Sequence, residues 1–423
     1  MTLIEKTAAA KKAGLLTATL SEAVRNKALI SMAASLRENS DLILEENTKD
    51  LDAAEKNNLG SALLKRLALS LSKLEEMAAG LESLATLRDP LGIRTIHREL
   101  DDGLLLQRLS VPIGLIGVIF ESRPDALVQI AGLCVKSGNA LILKGGSEAS
   151  HSNRILHEVL YAAICTADEG FENSILLVET RAEIGELLAL DQYIDLMIPR
   201  GSNQLVKYIM DNTQIPVMGH ADGICHMYVD KVFDKAKSIK LIRDGKTQYA
   251  AVCNAIETLL VNRESTSILP ELQETLPGVE LRGCTETQKL ITCEPARDED
   301  WDTEYNELIL SIKIVESLEE AIEHINTHGS HHTDVILTES KASAELFMSH
   351  VDSASVMWNA SSRFADGFRY GFGAEVGIST GKIHARGPVG LEGLTIYKYR
   401  LVGDGHLVAD YAEGRAMFTH KDL

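Results

Sequence analysis

From Gly114 to about Asp230 short apolar runs alternate with stretches of helical length, and no other feature of this chain narrows its fold as much. The runs are Leu115–Phe120, Ala140–Leu143, Ile175–Val178, Ile194–Ile198 and Cys225–Val229, with helical stretches such as Leu127–Lys136 and Leu205–Met210 among them. Parallel strands need a crossover between them, usually a helix, so the alternation predicts a mainly parallel sheet covered by helices. Ligands of such sheets bind beyond the carboxyl ends of the strands. Residues 231 to about 360 repeat the texture. Helices are expected near Lys231–Arg243, Ser265–Leu276, Leu318–Asn326 and Ala342–Ser349, and strands near Ile256–Val261, Leu308–Val315 and Asp334–Leu337. This reads as a second α/β domain.

The flanking segments differ. Residues 1 to about 88 are rich in Ala, Leu, Lys and Glu, and Leu29, Met32 and Leu36, then Leu63, Leu64, Leu67 and Leu71, trace helical stripes. The run RTIHRELDDGLLLQRLSVP turns at Asp102–Gly103, a strong hairpin signal, which predicts strands Thr95–Leu100 and Leu104–Val111. A two-stranded ribbon is marginal alone and should pack on something, such as another subunit. Residues 367–423 begin with Gly-rich loops and hold one apolar strand candidate, Leu394–Tyr399.

Charge and cysteine usage remove several classes. The net charge is −19, which argues against a nucleic-acid partner, since phosphate contacts need a basic face. It also requires that an anionic substrate be held by a local cationic pocket. Six cysteines without tight spacing build neither a disulfide framework nor a CxxC zinc site, so no structural metal is expected. The N-terminal run MTLIEKTAAAKKAGLL is too weakly hydrophobic for a signal peptide, and no apolar stretch reaches 18 residues. A soluble cytoplasmic protein is the expectation.

Two strand-to-helix turns could face a nucleotide. Lys144–Gly145–Gly146–Ser147–Glu148 follows the strand Ala140–Leu143, where a lysine can reach phosphate or ribose. Pro199–Arg200–Gly201–Ser202–Asn203 follows Ile194–Ile198, and a Gly-Ser turn at a helix start offers backbone N–H groups to an anion. Neither is a GxGxxG or Walker loop, and each taken singly reads equally well as an ordinary capped turn. Cys253, in QYAAVCNAIETLLV, stands just before a strand with Asn254 beside it. A thiolate is the strongest nucleophile among ordinary side chains. Cys134 and Cys165 lie in apolar helical runs and read as core. Cys225 precedes His226 within a strand, where the two side chains face opposite sides. Cys284 and Cys293 flank a polar stretch and read as structural. His324, His328, His331 and His332 crowd into HINTHGSHHTDVIL; metal is conceivable there, but Gly329 reads as a helix stop and no partner elsewhere completes a site.

These residues together resemble the γ-glutamyl phosphate reductase family, a proline-biosynthesis branch of the aldehyde dehydrogenase superfamily. The similarity spans the chain: GVIFESRPDA, LILKGGSEA, PRGSN, QYAAVCNAIETLL, GKIHARGPVGLEGLT and, most specifically, VESLEEAIEHINTHGSHHTDVI. The resemblance implies an aldehyde-dehydrogenase-like fold of two parallel-sheet α/β domains plus a β-ribbon oligomerisation element. It assigns 1–94 and 112–230 to nucleotide binding, 95–111 and 385–423 to the ribbon and tail, 231–365 to catalysis, and 366–384 to a return segment. It makes Cys253 the nucleophile, with a backbone N–H and Asn254 or a neighbouring donor at the oxyanion. Lys144 meets the cofactor ribose, Gly145 belongs to the same cofactor site, Gly201–Ser202 lie under the pyrophosphate, and Glu304 meets the nicotinamide ribose.

Departures from the oxidising members refine that expectation. Gly219 of MGHADGICHMYV aligns with the glutamate that activates water, so that base is absent and phosphate should serve as acyl partner. Arg123 replaces an oxyanion-hole asparagine and can hold a phosphate; Arg363 is a second cationic candidate. Ser147 replaces an acidic residue that holds the ribose 2′-hydroxyl, which favours NADPH/NADP. The resemblance thus implies reduction of L-glutamyl 5-phosphate to L-glutamate 5-semialdehyde and phosphate by a homodimer or homotetramer, coupled to the glutamate kinase that makes the labile substrate. A CoA-acylating or other phosphorylating dehydrogenase, or an inactive scaffold of the same fold, are the alternatives.

Overall fold

The computed structural model describes residues 1–121, 123–179 and 182–423. They form two compact units: Met1–Val217 with Gly373–Val376 and Val389–Leu423, and Met218–Phe372 with Gly377–Pro388.

The first unit opens with helices Leu3–Thr17, Glu22–Glu38, Ser40–Lys56, Ser61–Leu67 and Leu71–Thr86. Their starts follow ordinary capping chemistry: Thr2 forms a capping box with Glu5, while Ser21 and Ser70 accept from the backbone three residues on. Next comes a four-stranded parallel sheet in the order Ile175–Val178, Ala140–Lys144, Leu115–Phe120, Leu196–Arg200. Every residue of the central strand Leu115–Phe120 is buried, as a strand covered on both faces requires. Helix Pro124–Lys136 packs so closely on Leu71–Thr86 that a Cβ at Gly132 would lie 2.5 Å from Leu81 Cδ2. Its last residue, Lys136, is fully buried and donates to Asn26 Oδ1 at 2.8 Å.

The predicted ribbon is the middle of a larger sheet. Arg94–Asp101 and Leu104–Pro112 pair antiparallel across Asp102–Gly103, where Gly103 takes φ +71°. Tail strand Thr395–Val402 adds along Leu104–Pro112 from Thr395↔Pro112 to Val402↔Leu105, and Lys421–Asp422 pairs on the other side. The extra strands supply the ladder partners that a lone hairpin lacks.

The second unit is a seven-stranded sheet, with every neighbouring pair parallel, in the order Glu294–Pro295, Glu280–Gly283, Ile309–Val315, Ile256–Asn262, Cys225–Val229, Thr333–Leu337, Ser355–Trp358. Helices Lys235–Thr247 and Leu269–Thr275 pack into an apolar cluster with Leu259 and Ile312; Leu318–His328 and Lys341–His350 pack into another with Leu260 and Ile336. Leu259 and Leu260 alternate across one strand, so the two clusters occupy opposite faces. The boundary expected at 230 therefore moves to 217/218, because Cys225–Val229 pairs with Ile256–Asn262 and Thr333–Leu337 and belongs to this sheet. The return segment expected at 366–384 contributes only Gly373–Val376 to the first unit. Among the described residues no helix is long and apolar enough to cross a membrane.

Candidate active site

In the first unit both suspected turns lie at the carboxyl edge of the parallel sheet. Lys144 ends strand Ala140–Lys144 and is 4% exposed. Gly145 is required for space, since a Cβ there would run into the Asn153 amide and stand 3.1 Å from the Phe120 ring. Asn153 Oδ1 is itself buried without a hydrogen-bond partner, an acceptor left for a ligand hydroxyl or N–H. Ser147 is exposed, and Glu148 folds its carboxylate back over Gly146, so the turn keeps a negative charge one residue from the expected position. At the second turn, Ser202 Oγ caps helix Asn203–Asp211, and the Ser202 N–H donates to Glu121 Oε2 at 2.8 Å. A Cβ on Gly201 would meet that same carboxylate at 2.5 Å. A carboxylate thus occupies the anion-favouring start of this helix. The lysine, the glycine clearance and the orphaned acceptor of the first turn fit a nicotinamide dinucleotide, whereas at the second turn Glu121 holds the Ser202 N–H expected under the pyrophosphate. Arg123 stands just before helix Pro124–Lys136, half-exposed, and pairs with Asp125 Oδ2 at 2.9 Å.

In the second unit Cys253 lies in the turn before strand Ile256–Asn262, half-buried, with Ala255 N–H closing onto Val252 O at 2.9 Å. The thiol therefore sits at the amino edge of its own sheet, opposite in polarity to the two turns of the first unit. Gly223 packs directly on the Cys253 backbone, and the Cys225 thiol donates to the Cys253 carbonyl at 3.1 Å. Burial pushes the Cys225 thiol well above its ordinary range, which makes it a poor rival nucleophile. Cys134 is likewise buried and pushed up to about 12.

Asn254 is 5% exposed, and its amide donates to Ala365 O at 2.8 Å while Ser362 Oγ donates to the Asn254 carbonyl at 2.7 Å. That residue ties the Ser361–Ala365 loop to the Cys253 turn, and the amide expected as an oxyanion donor is already engaged with Ala365 O. Arg363 is 8% exposed and hydrogen-bonds the neutral Gln248 at 3.0 Å. Burial and the neighbouring Arg369 lower its pKa, while Cys253 acts in the opposite direction. Glu304 is half-buried after the 3-10 turn Asp298–Asp302 and acts on the buried pair Lys246–Glu257, whose Nζ and Oε2 are 2.5 Å apart. Burial raises Glu257 to about 7.

The histidine stretch separates into distinct environments. His324 lies in helix Leu318–His328 against His226 and Trp301; His328 pairs with Asp302; His331 turns at φ +59° and meets the Asp352 carbonyl. Gly329 ends the helix without a left-handed φ; it is needed because a Cβ would lie 2.5 Å from Ile325 O. His332 alone reaches the thiol: ligand atoms of His220, Cys253 and His332 all lie within 4.8 Å of one another. Gly219 offers no side chain, but its neighbour His220 brings an imidazole within 4.8 Å of the Cys253 thiol. The signal was one residue away in MGHADGIC.

Comparison with known proteins fits this geometry. Residues 4–281 match the model of the aldehyde dehydrogenase family. A gamma-glutamyl phosphate reductase of Acetivibrio thermocellus is 54% identical over 427 aligned residues, covering 100% of this chain and 99% of the relative. Gamma-glutamyl phosphate reductase 1 of Synechocystis is also 54% identical, over 98% of this chain and 96% of its own length. The crystal structure of gamma-glutamyl phosphate reductase from Thermotoga maritima superposes with a TM-score of 0.94 at 40% identity, covering 96% of this chain and 99% of that one. An acetylating aldehyde dehydrogenase of Geobacillus thermoglucosidasius shares the fold at 17% identity and TM-score 0.65, over 95% and 96% of the two chains. The chain belongs to the aldehyde dehydrogenase family, in its gamma-glutamyl phosphate reductase branch.

Proposed function

We propose that this chain reduces L-glutamyl 5-phosphate to L-glutamate 5-semialdehyde and phosphate, the reductive step toward proline, with NADPH as reductant. The observation that carries the reading is the half-buried thiol of Cys253, fixed on a glycine-backed turn in a chain similar over its full length to named gamma-glutamyl phosphate reductases. The Cys253 thiolate attacks the acyl carbon, the carbon–oxygen bond to phosphate breaks, and a thioester remains. NADPH, when bound, supplies the hydride that turns the thioester into a thiohemiacetal. Collapse of that adduct returns the thiolate and releases the aldehyde.

Lys144, Gly145, Gly201 and Ser202 are the residues of the first unit that would hold the dinucleotide; Glu304 is the proposed ribose contact in the second. The preference for NADPH rests on Ser147, and Glu148 at the same turn is the residue that could oppose it. Arg123 and Arg363 are proposed to hold the substrate's anionic groups. The sheet Thr395–Val402, Leu104–Pro112, Arg94–Asp101 and Lys421–Asp422 is proposed to join subunits into a dimer or tetramer. An acyl phosphate is hydrolytically labile, so direct supply by the glutamate kinase that makes it is part of the proposal.

The test is NADP⁺ reduction by glutamate semialdehyde with phosphate, with coenzyme A, or with neither. Dependence on phosphate supports the reading; dependence on coenzyme A replaces it with an acylating dehydrogenase, and absence of turnover with a scaffold. Cys253→Ala should lose turnover by at least about a thousandfold while still binding NADPH. Residual turnover within tenfold of wild type would sink the thioester.

A further inference from the structure

His220, Cys253 and His332 come from three segments that precede neighbouring strands of one sheet: Cys225–Val229, Ile256–Asn262 and Thr333–Leu337. Their ligand-type atoms lie within 4.8 Å of one another. The His220 and His332 rings meet edge-on, with centroids 4.8 Å apart at 73°. Backbone contacts fix one tautomer. His220 Nδ1 is 2.8 Å from the Ile378 carbonyl, which can only accept, so Nδ1 carries the proton and Nε2 the lone pair. His332 is fully buried; its Nδ1 lies 2.9 Å from Thr333 Oγ1, and its Nε2 has no hydrogen-bond partner. An orphaned buried nitrogen needs an explanation, and a ligand is one.

One thiolate and two neutral imidazoles are the donor set of zinc, with no carboxylate to favour calcium or magnesium. Bonds of about 2.0–2.3 Å place donor atoms roughly 3.3–3.8 Å apart around a tetrahedral ion. The cluster must therefore contract by about 1 Å, which rotation of the half-buried Cys253 and His220 side chains can supply.

We propose that His220, Cys253 and His332 capture a thiophilic divalent cation, zinc foremost, which binds the nucleophilic sulfur and reversibly shuts the enzyme off. On binding, the Cys253 thiol gives its proton to solvent as the metal–sulfur bond forms, and no electron changes hands. The consequence for activity rests on Cys253 being the nucleophile; the binding itself does not.

The experiment uses the metal-free full-length chain and cobalt(II) alone as a spectroscopic probe. The expected result is a near-ultraviolet thiolate-to-cobalt band and intense visible bands of tetrahedral cobalt, saturating at one ion per chain and abolished by zinc. Cys253→Ala removes the thiolate band. His220→Gln and His332→Asn each weaken binding at least about tenfold, whereas Cys284→Ala, outside the cluster, leaves it unchanged. His220 is half-buried, so its variant keeps the test decisive if His332→Asn fails to fold. No thiolate band, a band that survives Cys253→Ala, or affinity indifferent to His220→Gln would overturn the site. Because this readout is binding, its failure leaves the acyl-phosphate reaction standing, and failure of that reaction leaves the metal site standing. Zinc should also inhibit wild-type turnover, with recovery on adding EDTA.

Discussion

Gly223 occupies the position where any side chain would collide with the backbone of Cys253: a Cβ at residue 223 would stand 2.5 Å from the Cys253 Cα and 2.7 Å from its Cβ. Backbone cannot rotate away as a side chain can, so the turn carrying the thiol would have to shift. Gly223→Ala should lower kcat at least about a hundredfold, the loss that ~1 Å of misplacement brings. Circular dichroism and NADPH affinity should stay close to wild type. Turnover within threefold of wild type would show that the thiol tolerates displacement.

That relationship also marks the limit of what was legible in the sequence. The alternation of apolar runs and helices announced the parallel sheets, because burial on both faces leaves continuous runs such as Leu115–Phe120. The position of Cys253 in a turn just before a strand was legible from the sequence, since Ile256–Asn262 follows it directly. Gly223 and His220 could not, since a loop's periodicity says nothing about what it approaches. Cys225–Val229 was found as a strand and given to the wrong domain, because a strand's partners are non-local. The histidine stretch could not be resolved for a similar reason: its neighbours in sequence diverge to Trp301, Asp302, Asp352 and Cys253.

His324 should set part of the acid sensitivity of this fold. Burial, then His226, push its pKa down to about 2, and its Nε2 has no partner. The ordinary value is 6.5. The unfolded chain therefore takes up a proton near pH 6.5 that the folded chain refuses until about 2. Stability is full above 6.5 and falls with acidification through the window between, by about 1.4 kcal/mol per pH unit for one such group. His332, also lowered, adds a second share. Urea melts of wild type and His324→Gln at pH 7.5, 6 and 5 should show the shallower slope in the variant. Parallel slopes would remove His324 from the account.

The tail strand Thr395–Val402 leaves Tyr397, Tyr399, Leu401 and Val402 each more than half exposed in the single chain. A long edge strand with apolar side chains is a surface that proteins usually cover. Replacing the hairpin would also strip this strand and Lys421–Asp422 of their partners, so a point change is the cleaner probe. Tyr399→Asp with Leu401→Asp should shift sedimentation to the monomer and leave circular dichroism unchanged. An assembly of unaltered mass would refute the interface.

Arg123 is the residue whose two readings are most sharply opposed. Its guanidinium meets Asp125 at 2.9 Å, while Glu121, the other carboxylate near it in sequence, is engaged by the Ser202 N–H. The pair is half-exposed, and exposed pairs contribute only about 0.2–1 kcal/mol. A phosphate dianion offers the same planar group two oxygens and more charge, so it can displace Asp125 at small cost. Arg123→Ala should therefore raise the KM for phosphate in semialdehyde oxidation at least about tenfold, with little change in NADP⁺ affinity or melting temperature. Asp125→Asn, which removes the competitor, should leave that KM unchanged or lower it. Wild type should show almost no oxidation without phosphate, since Gly219 supplies no general base and such a base is typically worth ~10²–10⁴-fold. His220 is the group that could break this rule, and His220→Gln at zero phosphate measures whether it does. If Arg123→Ala lowers the melting temperature and leaves the phosphate KM alone, Asp125 is its whole task and the phosphate must be held by other cations, Arg363 first.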